Sequence, residues 1–120
     1  MNHNRRIGHW GEEVAAAYLG KKGYRIVERN VRTPYGEIDL VAEIEGVTVF
    51  VEVKARTSRV YGLPEDALTL RKRRHMRAAA GHYAAERGIE TWQCDAIAVE
   101  GAPGLPPRLK HFENITADLE

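Results

Sequence analysis

The period of the hydrophobic and polar positions changes several times along the chain, and each change marks an element. Over Arg5–Lys22, Ile7, Gly11, Val14, Ala15 and Tyr18 recur at spacings of three and four, which predicts an amphipathic helix. Gly20 and Gly23 flank its end. Tyr24–Val31 reads as a strand, and Thr33-Pro34-Tyr35-Gly36 as a turn. The period then drops to two. Glu37, Asp39, Val41 and Glu43 alternate with Ile38, Leu40, Ala42 and Ile44, and Val47, Val49, Val51, Val53 and Ala55 alternate with Thr48, Phe50, Glu52 and Lys54. Two strands joined by a two-residue turn at Glu45-Gly46 follow, a hairpin with one apolar and one polar face.

Helical spacing returns over Pro64–Arg87. Pro64 suits the first position, Glu65 and Asp66 suit the positive end of the helix dipole, Leu68, Met76, Ala79, Ala80 and Tyr83 form the apolar stripe, and Gly88 stops the helix. Thr91–Glu100 is a further strand. After the Gly- and Pro-rich stretch Gly101–Pro107, Arg108–Ile115 reads as an edge strand. The predicted fold is α/β, a mixed sheet flanked by helices in the order α-β-β-β-α-β-β, as a single domain over 1–120.

The hairpin carries the chemistry. With Glu45-Gly46 as the turn, Asp39 lies opposite Glu52 and Glu37 opposite Lys54, their Cβ atoms about 4.5–5.5 Å apart. A slip by one residue would bury these charges, so the apolar face defends the register. Glu37 and Lys54 make an ordinary pair. Asp39 and Glu52 are like charges, which destabilise a sheet unless both splay into water or a divalent cation offsets them. Lys54, two residues after Glu52 on the same face, is placed to orient a metal-bound water or to stabilise charge on a phosphate, or simply to pair with Glu37.

Asp39 followed by Glu52-Val53-Lys54 resembles the D…(D/E)-X-K signature of the PD-(D/E)XK nuclease superfamily. The segments GHWGEEVAAAYL, GYRIVERNVR, GEIDLV, VFVEVKAR and GLPEDAL, with the basic helix after them, are similar to the YraN-like uncharacterised protein family. That family resembles Holliday-junction resolvases and implies a restriction-endonuclease-like fold. The resemblance implies Asp39 and Glu52 as ligands of Mg²⁺ or Mn²⁺, Lys54 as the catalytic lysine, and Glu12 as a further ligand from the first helix. Helical geometry puts Glu12 at the border of the buried face and Glu13 outward. Ile38 stands where the superfamily often has proline, at a position that varies. Gln93-Cys94 precedes Asp95 where an aromatic is expected, which leaves Asp95, like Glu37, a secondary candidate and more structural than ligating.

Composition adds a partner. The chain has 120 residues and a net charge of +1, which excludes an overall basic protein but not local separation of charge. Between Lys54 and Arg77, the residues Lys54, Arg56, Arg59, Arg71, Lys72, Arg73, Arg74 and Arg77 face only Glu65 and Asp66, a local charge of about +6. Such a patch beside carboxylates suits a phosphodiester backbone, with Arg56, Arg59, Arg71, Lys72 and Arg74 as nucleic-acid contacts, although a solvated helix face has the same composition. Lys72 falls in line with Met76, toward the sheet. Trp10, Trp92 and Cys94 read as core residues, and no zinc finger or helix-turn-helix is present. No apolar run reaches the ~20 residues of a membrane span. With a single cysteine and no signal peptide, a cytoplasmic protein is expected.

The expected activity is that of a metal-dependent endonuclease on branched or structured DNA. The competing readings are a non-catalytic nucleic-acid-binding module of the same fold and a protein-interaction domain. One unit of this size offers little surface for a four-way junction, which makes a homodimer a candidate assembly.

Overall fold

The structure, a computed structural model, describes residues 3–57 and 68–119. Helix α1 (His3–Lys21) leads into β1 (Arg25–Thr33), β2 (Gly36–Ile44) and β3 (Val47–Arg56); α2 (Leu70–Arg87), β4 (Trp92–Glu100) and β5 (Arg108–Phe112) follow. The element order is the predicted one. The five strands form one mixed sheet in the order β1-β2-β3-β4-β5. Neighbours are antiparallel except β3 and β4, whose parallel pairing requires the crossover that α2 supplies.

The hairpin has the register that alternation demands, from Leu40 opposite Val51 to Ile44 opposite Val47. Its turn residues Glu45 and Gly46 both have positive φ, 49° and 80°, the handedness that matches the twist of two-residue hairpins. The expected division into one apolar and one solvated face is corrected by the packing. Ala15, Ala16 and Leu19 of α1 cover Leu40, Val49, Val51, Ile97 and Val99 on one side of the sheet. Ala79, Ala80, Tyr83 and Ala84 of α2 cover Val41, Phe50 and Cys94 on the other. A sheet carrying a parallel pair is closed on both faces by its crossover helix and the helix opposite. The polar face of the hairpin is therefore covered at its middle, over Val41 and Phe50, and polar toward its two ends, at Glu43 and at Asp39, Glu52 and Lys54. Ile38, which strict alternation assigns to the α1 side, is buried in the α2-side cluster; it lies beyond the last β2–β3 pair.

Most boundaries lie within two residues of expectation, and two differ by more. Helix α2 begins at Leu70, where the Thr69 hydroxyl accepts from the backbone N–H of Lys72 at 3.2 Å, a cap that satisfies a free donor of the first turn. Leu68 therefore precedes the helix rather than joining its stripe. Pro64, Glu65 and Asp66 lie outside the described residues. The helix ends as predicted at Gly88, with φ of 65°. Strand β5 stops at Phe112 instead of Ile115, because Asn114 turns out of the ladder with φ of 53° and gives its N–H to Asp95.

Trp10 packs on the α1-side core and Trp92 edge-on to Phe50, with ring centroids 5.6 Å apart. Cys94 is fully buried, and burial pushes its thiol up to about 11. Among the described residues no helix is long and apolar enough to cross a membrane.

Candidate functional site

The site lies where β2 and β3 stop pairing. Beyond Leu40 and Val51 the ladder ends, and the Asp39 side chain takes over: its Oδ2 accepts the Val53 backbone N–H at 2.7 Å. That bond points the carboxylate between the strands and leaves Oδ1 for another partner. Burial, and next the charge of Glu52, push the Asp39 carboxyl from 3.8 up to about 7, against the Val53 N–H, which favours the charged form. Glu12 and Glu37 contribute repulsion in the same direction. Glu12 is half-buried on α1 and accepts a hydrogen bond from the Asn30 side chain; burial raises its carboxyl too. Its neighbour Glu13 points outward into an ion pair with Arg29.

Glu52 does not splay into water. Its Oε1 meets Lys72 Nζ at 2.8 Å, reached from α2 across the end of the sheet. Burial works against the Lys72 ammonium, but its hydrogen bond to Glu52 and the Glu52 charge outweigh burial and raise its pKa. Lys54 stands beside it. The Lys72 charge first, then burial, lower the Lys54 pKa, while Glu52 and Asp39 hold it up. The expected pairing of Glu37 with Lys54 is thus replaced. Among the described residues no ion pair joins them: both are exposed, and the charges that act on Lys54 are those of Lys72, Glu52 and Asp39.

Four carboxylates therefore surround one end of the hairpin with two lysines among them. The donors suit a hard cation, since Asp39 and Glu52 are oxygen ligands whose mutual repulsion a divalent ion would relieve. The arrangement is not a finished cage: among the described residues no three His, Cys, Asp or Glu side chains converge closely enough to hold a metal, and Lys72 occupies Glu52.

The basic segment divides in two. Arg71 and Arg74 are exposed on α2, the helix that also carries Lys72. Arg73 is tied down, 2.7 Å from Asp118 and 3.2 Å from the Ile115 carbonyl, so it fastens the C-terminal segment to α2. Arg56 is half-buried at the end of β3. Arg59 lies outside the described residues.

Asp95 takes no part in this cluster. It alternates with Cys94 onto the α1 face, is fully buried, and accepts from Gln93 Nε2 and the Asn114 N–H, each at 2.9 Å. His111 Nε2 lies 2.8 Å from its second oxygen, and the Tyr18 hydroxyl 3.0 Å from His111 Nδ1. An acid inside the otherwise apolar run Cys94–Val99 was the signal for such a network; which residues complete it was not readable from spacing, because they come from positions 18, 93, 111 and 114.

A cleft of about 190 Å³ adjoins the cluster between the start of β2 and α2, with Ile38 and Phe50 beneath it and Glu52, Lys72 and His75 at its edge. No spacing in the sequence pointed to it.

A family model described as "Uncharacterised protein family UPF0102" matches residues 11–99. A UPF0102 protein of Symbiobacterium thermophilum is 48% identical over 107 residues, 89% of this chain and 91% of its own. One from Syntrophomonas wolfei is 57% identical over 77 residues, 64% of this chain and 67% of its own. One from Pelotomaculum thermopropionicum is 47% identical over 111 residues, 90% and 92% of the two chains. The matched residues include Glu12, Asp39, Glu52, Lys54 and Lys72, and the chain belongs to the UPF0102 family, the YraN-like family that its motifs resemble.

Proposed function

We propose that this protein is a metal-dependent endonuclease that hydrolyses phosphodiester bonds in branched or structured DNA. The observation that carries the reading is the mutually repelling pair Asp39 and Glu52, with Lys72 on Glu52, Lys54 beside Lys72, and Arg71 and Arg74 exposed on the helix that carries Lys72. A half-buried carboxyl pushed up to about 7, first by burial and next by the Glu52 charge, serves no structural purpose where Asn would cap the same N–H.

On this reading Asp39 and Glu52 would hold Mg²⁺ or Mn²⁺, and Glu12 would have to move closer to serve as the third carboxylate. The bound cation would supply Lewis acidity at the scissile phosphate and lower the pKa of its water. Lys54, its pKa already lowered, accepts a proton or orients the attacking water better than an ordinary lysine. With a cation on Glu52, Lys72 would be free to donate to the phosphate. Arg71 and Arg74 bind the flanking backbone as bidentate donors. On a four-way junction the reading calls for two copies, since a single unit of 120 residues spans little of it.

The test is cleavage of junction, flap and duplex DNA in Mn²⁺ by the wild type, Asp39→Ala and Lys54→Ala. Cleavage by the wild type, lost by about 10²-fold or more in both variants, is the expected result. No cleavage by the wild type, or equal cleavage by the variants, overturns it. Salt-dependent DNA binding without Mn²⁺ binding would instead favour a non-catalytic module, in which Lys72 permanently takes the place of the metal on Glu52.

A further inference from the structure

We infer that the cleft beside the carboxylate cluster is a binding site for a single unpaired nucleobase, so that the preferred substrate carries an unpaired nucleotide next to the bond that is cut. This rests on the nucleic-acid reading of the site and names its substrate class. The cleft measures about 190 Å³. A cavity of about 150 Å³ accepts one benzene ring, so this one has room for a single planar ring and not for a stacked pair. Its floor is apolar and rigid: Ile38 is 6% exposed and Phe50 2%. Its edge is polar, with Glu52, Lys72 and His75 offering both acceptors and donors to the rim of a ring.

Two features single out a nucleotide among ring-shaped ligands. Glu52 and Lys72 line the cleft and also form the cluster, so a phosphate held at Lys72 lies beside the opening. Tyr35 stands at the mouth, 55% exposed, and is kept there by His82 of α2, whose ring centroid lies 6.0 Å away in an edge-on contact. An aromatic face exposed beside an apolar slot is a stacking surface, which accepts any base without reading its sequence. Taking a base from an intact duplex costs unstacking and unpairing, and that cost is smallest where the base is already unpaired. The cleft therefore selects bulges, flaps and junction points over continuous duplex.

The experiment is binding, not cleavage. Fluorescence anisotropy is measured in Ca²⁺, a hard cation with the same oxygen preference, on three probes: a paired duplex, the duplex with one bulged cytosine, and the same bulge made abasic. The wild type is expected to bind the cytosine bulge about tenfold more tightly than either other probe. Tyr35→Ala, an exposed change, and Met76→Trp, which fills the cleft from α2, are expected to remove that preference and leave paired-duplex affinity unchanged. If the abasic bulge binds as tightly as the cytosine bulge, or if Tyr35→Ala retains the preference, the base site is overturned while the nuclease reading stands. If the wild type binds none of the probes, both fall together.

Discussion

Burial, and next the charge of Glu52, let the Asp39 carboxyl keep its proton well above the usual carboxylate range, and this has a stability signature. The unfolded carboxyl ionises near 3.8, whereas the folded one retains its proton to about 7. Between those values the native state binds a proton that the unfolded chain has released, so stability falls as pH rises through this window and levels off above it, by on the order of 4 kcal/mol. Urea unfolding of Asp39→Asn from pH 4 to 8 is expected to lack this fall and to leave the variant more stable than the wild type at pH 8. Lys72 carries a second signature. Its ammonium holds Glu52 in an ion pair at 2.8 Å, in competition with any cation there. On the metal-dependent reading, Lys72→Met is expected to tighten Mn²⁺ binding several-fold by calorimetry, since half of a partly buried pair is worth about 1–2 kcal/mol to its competitor. Unchanged Mn²⁺ affinity would remove Lys72 from the site.

At the scale of elements, the approach of α1 to β3 is set by one missing side chain. A Cβ on Gly11 would lie 2.5 Å from the Ala55 Cβ, inside any real contact. Gly11→Ala is therefore expected to destabilise the fold by about 1–3 kcal/mol through overpacking, despite alanine's higher helix propensity. Adding Ala55→Gly should restore part of the loss in the same urea titration, which a propensity effect would not allow. The element boundaries teach a related point. Hairpin and turn were legible because a slip by one residue reverses every side chain at once. The start of α2 was not: Pro64-Glu65-Asp66 is as good a helix opening by composition as Thr69, and the Thr69 hydroxyl bond to Lys72 decides between them only for the described residues.

For the whole molecule, the net charge of +1 is the sum of an acidic centre and a basic flank. Arg71 and Arg74 are exposed, so reversing both to Glu should leave the fold intact. DNA affinity is expected to fall and its dependence on log salt to become shallower by about 1 for each phosphate contact removed, measured by anisotropy across a salt series. A change in affinity with no change in slope would mean that these residues do not touch phosphate. Arg73, equal to them in sequence, should not share this behaviour, because Asp118 and the Ile115 carbonyl hold it.

By itself, the sequence determined what depends on neighbours along the chain: helix and strand periods, the hairpin register that sets Asp39 opposite Glu52, the inward direction of Lys72, and the surplus of cations after Lys54. These are local because side-chain direction repeats every 2 or 3.6 residues whatever the rest of the molecule does. Only the tertiary structure decided what depends on distant elements meeting. It covered both faces of the sheet, drew Lys54 to Lys72 and away from Glu37, sent Asp95 to His111 and Tyr18 on the opposite face, and left a ring-sized cleft between β2 and α2. The physical reason is burial: pairing and protonation follow from which groups lose water together, and that depends on packing rather than on spacing.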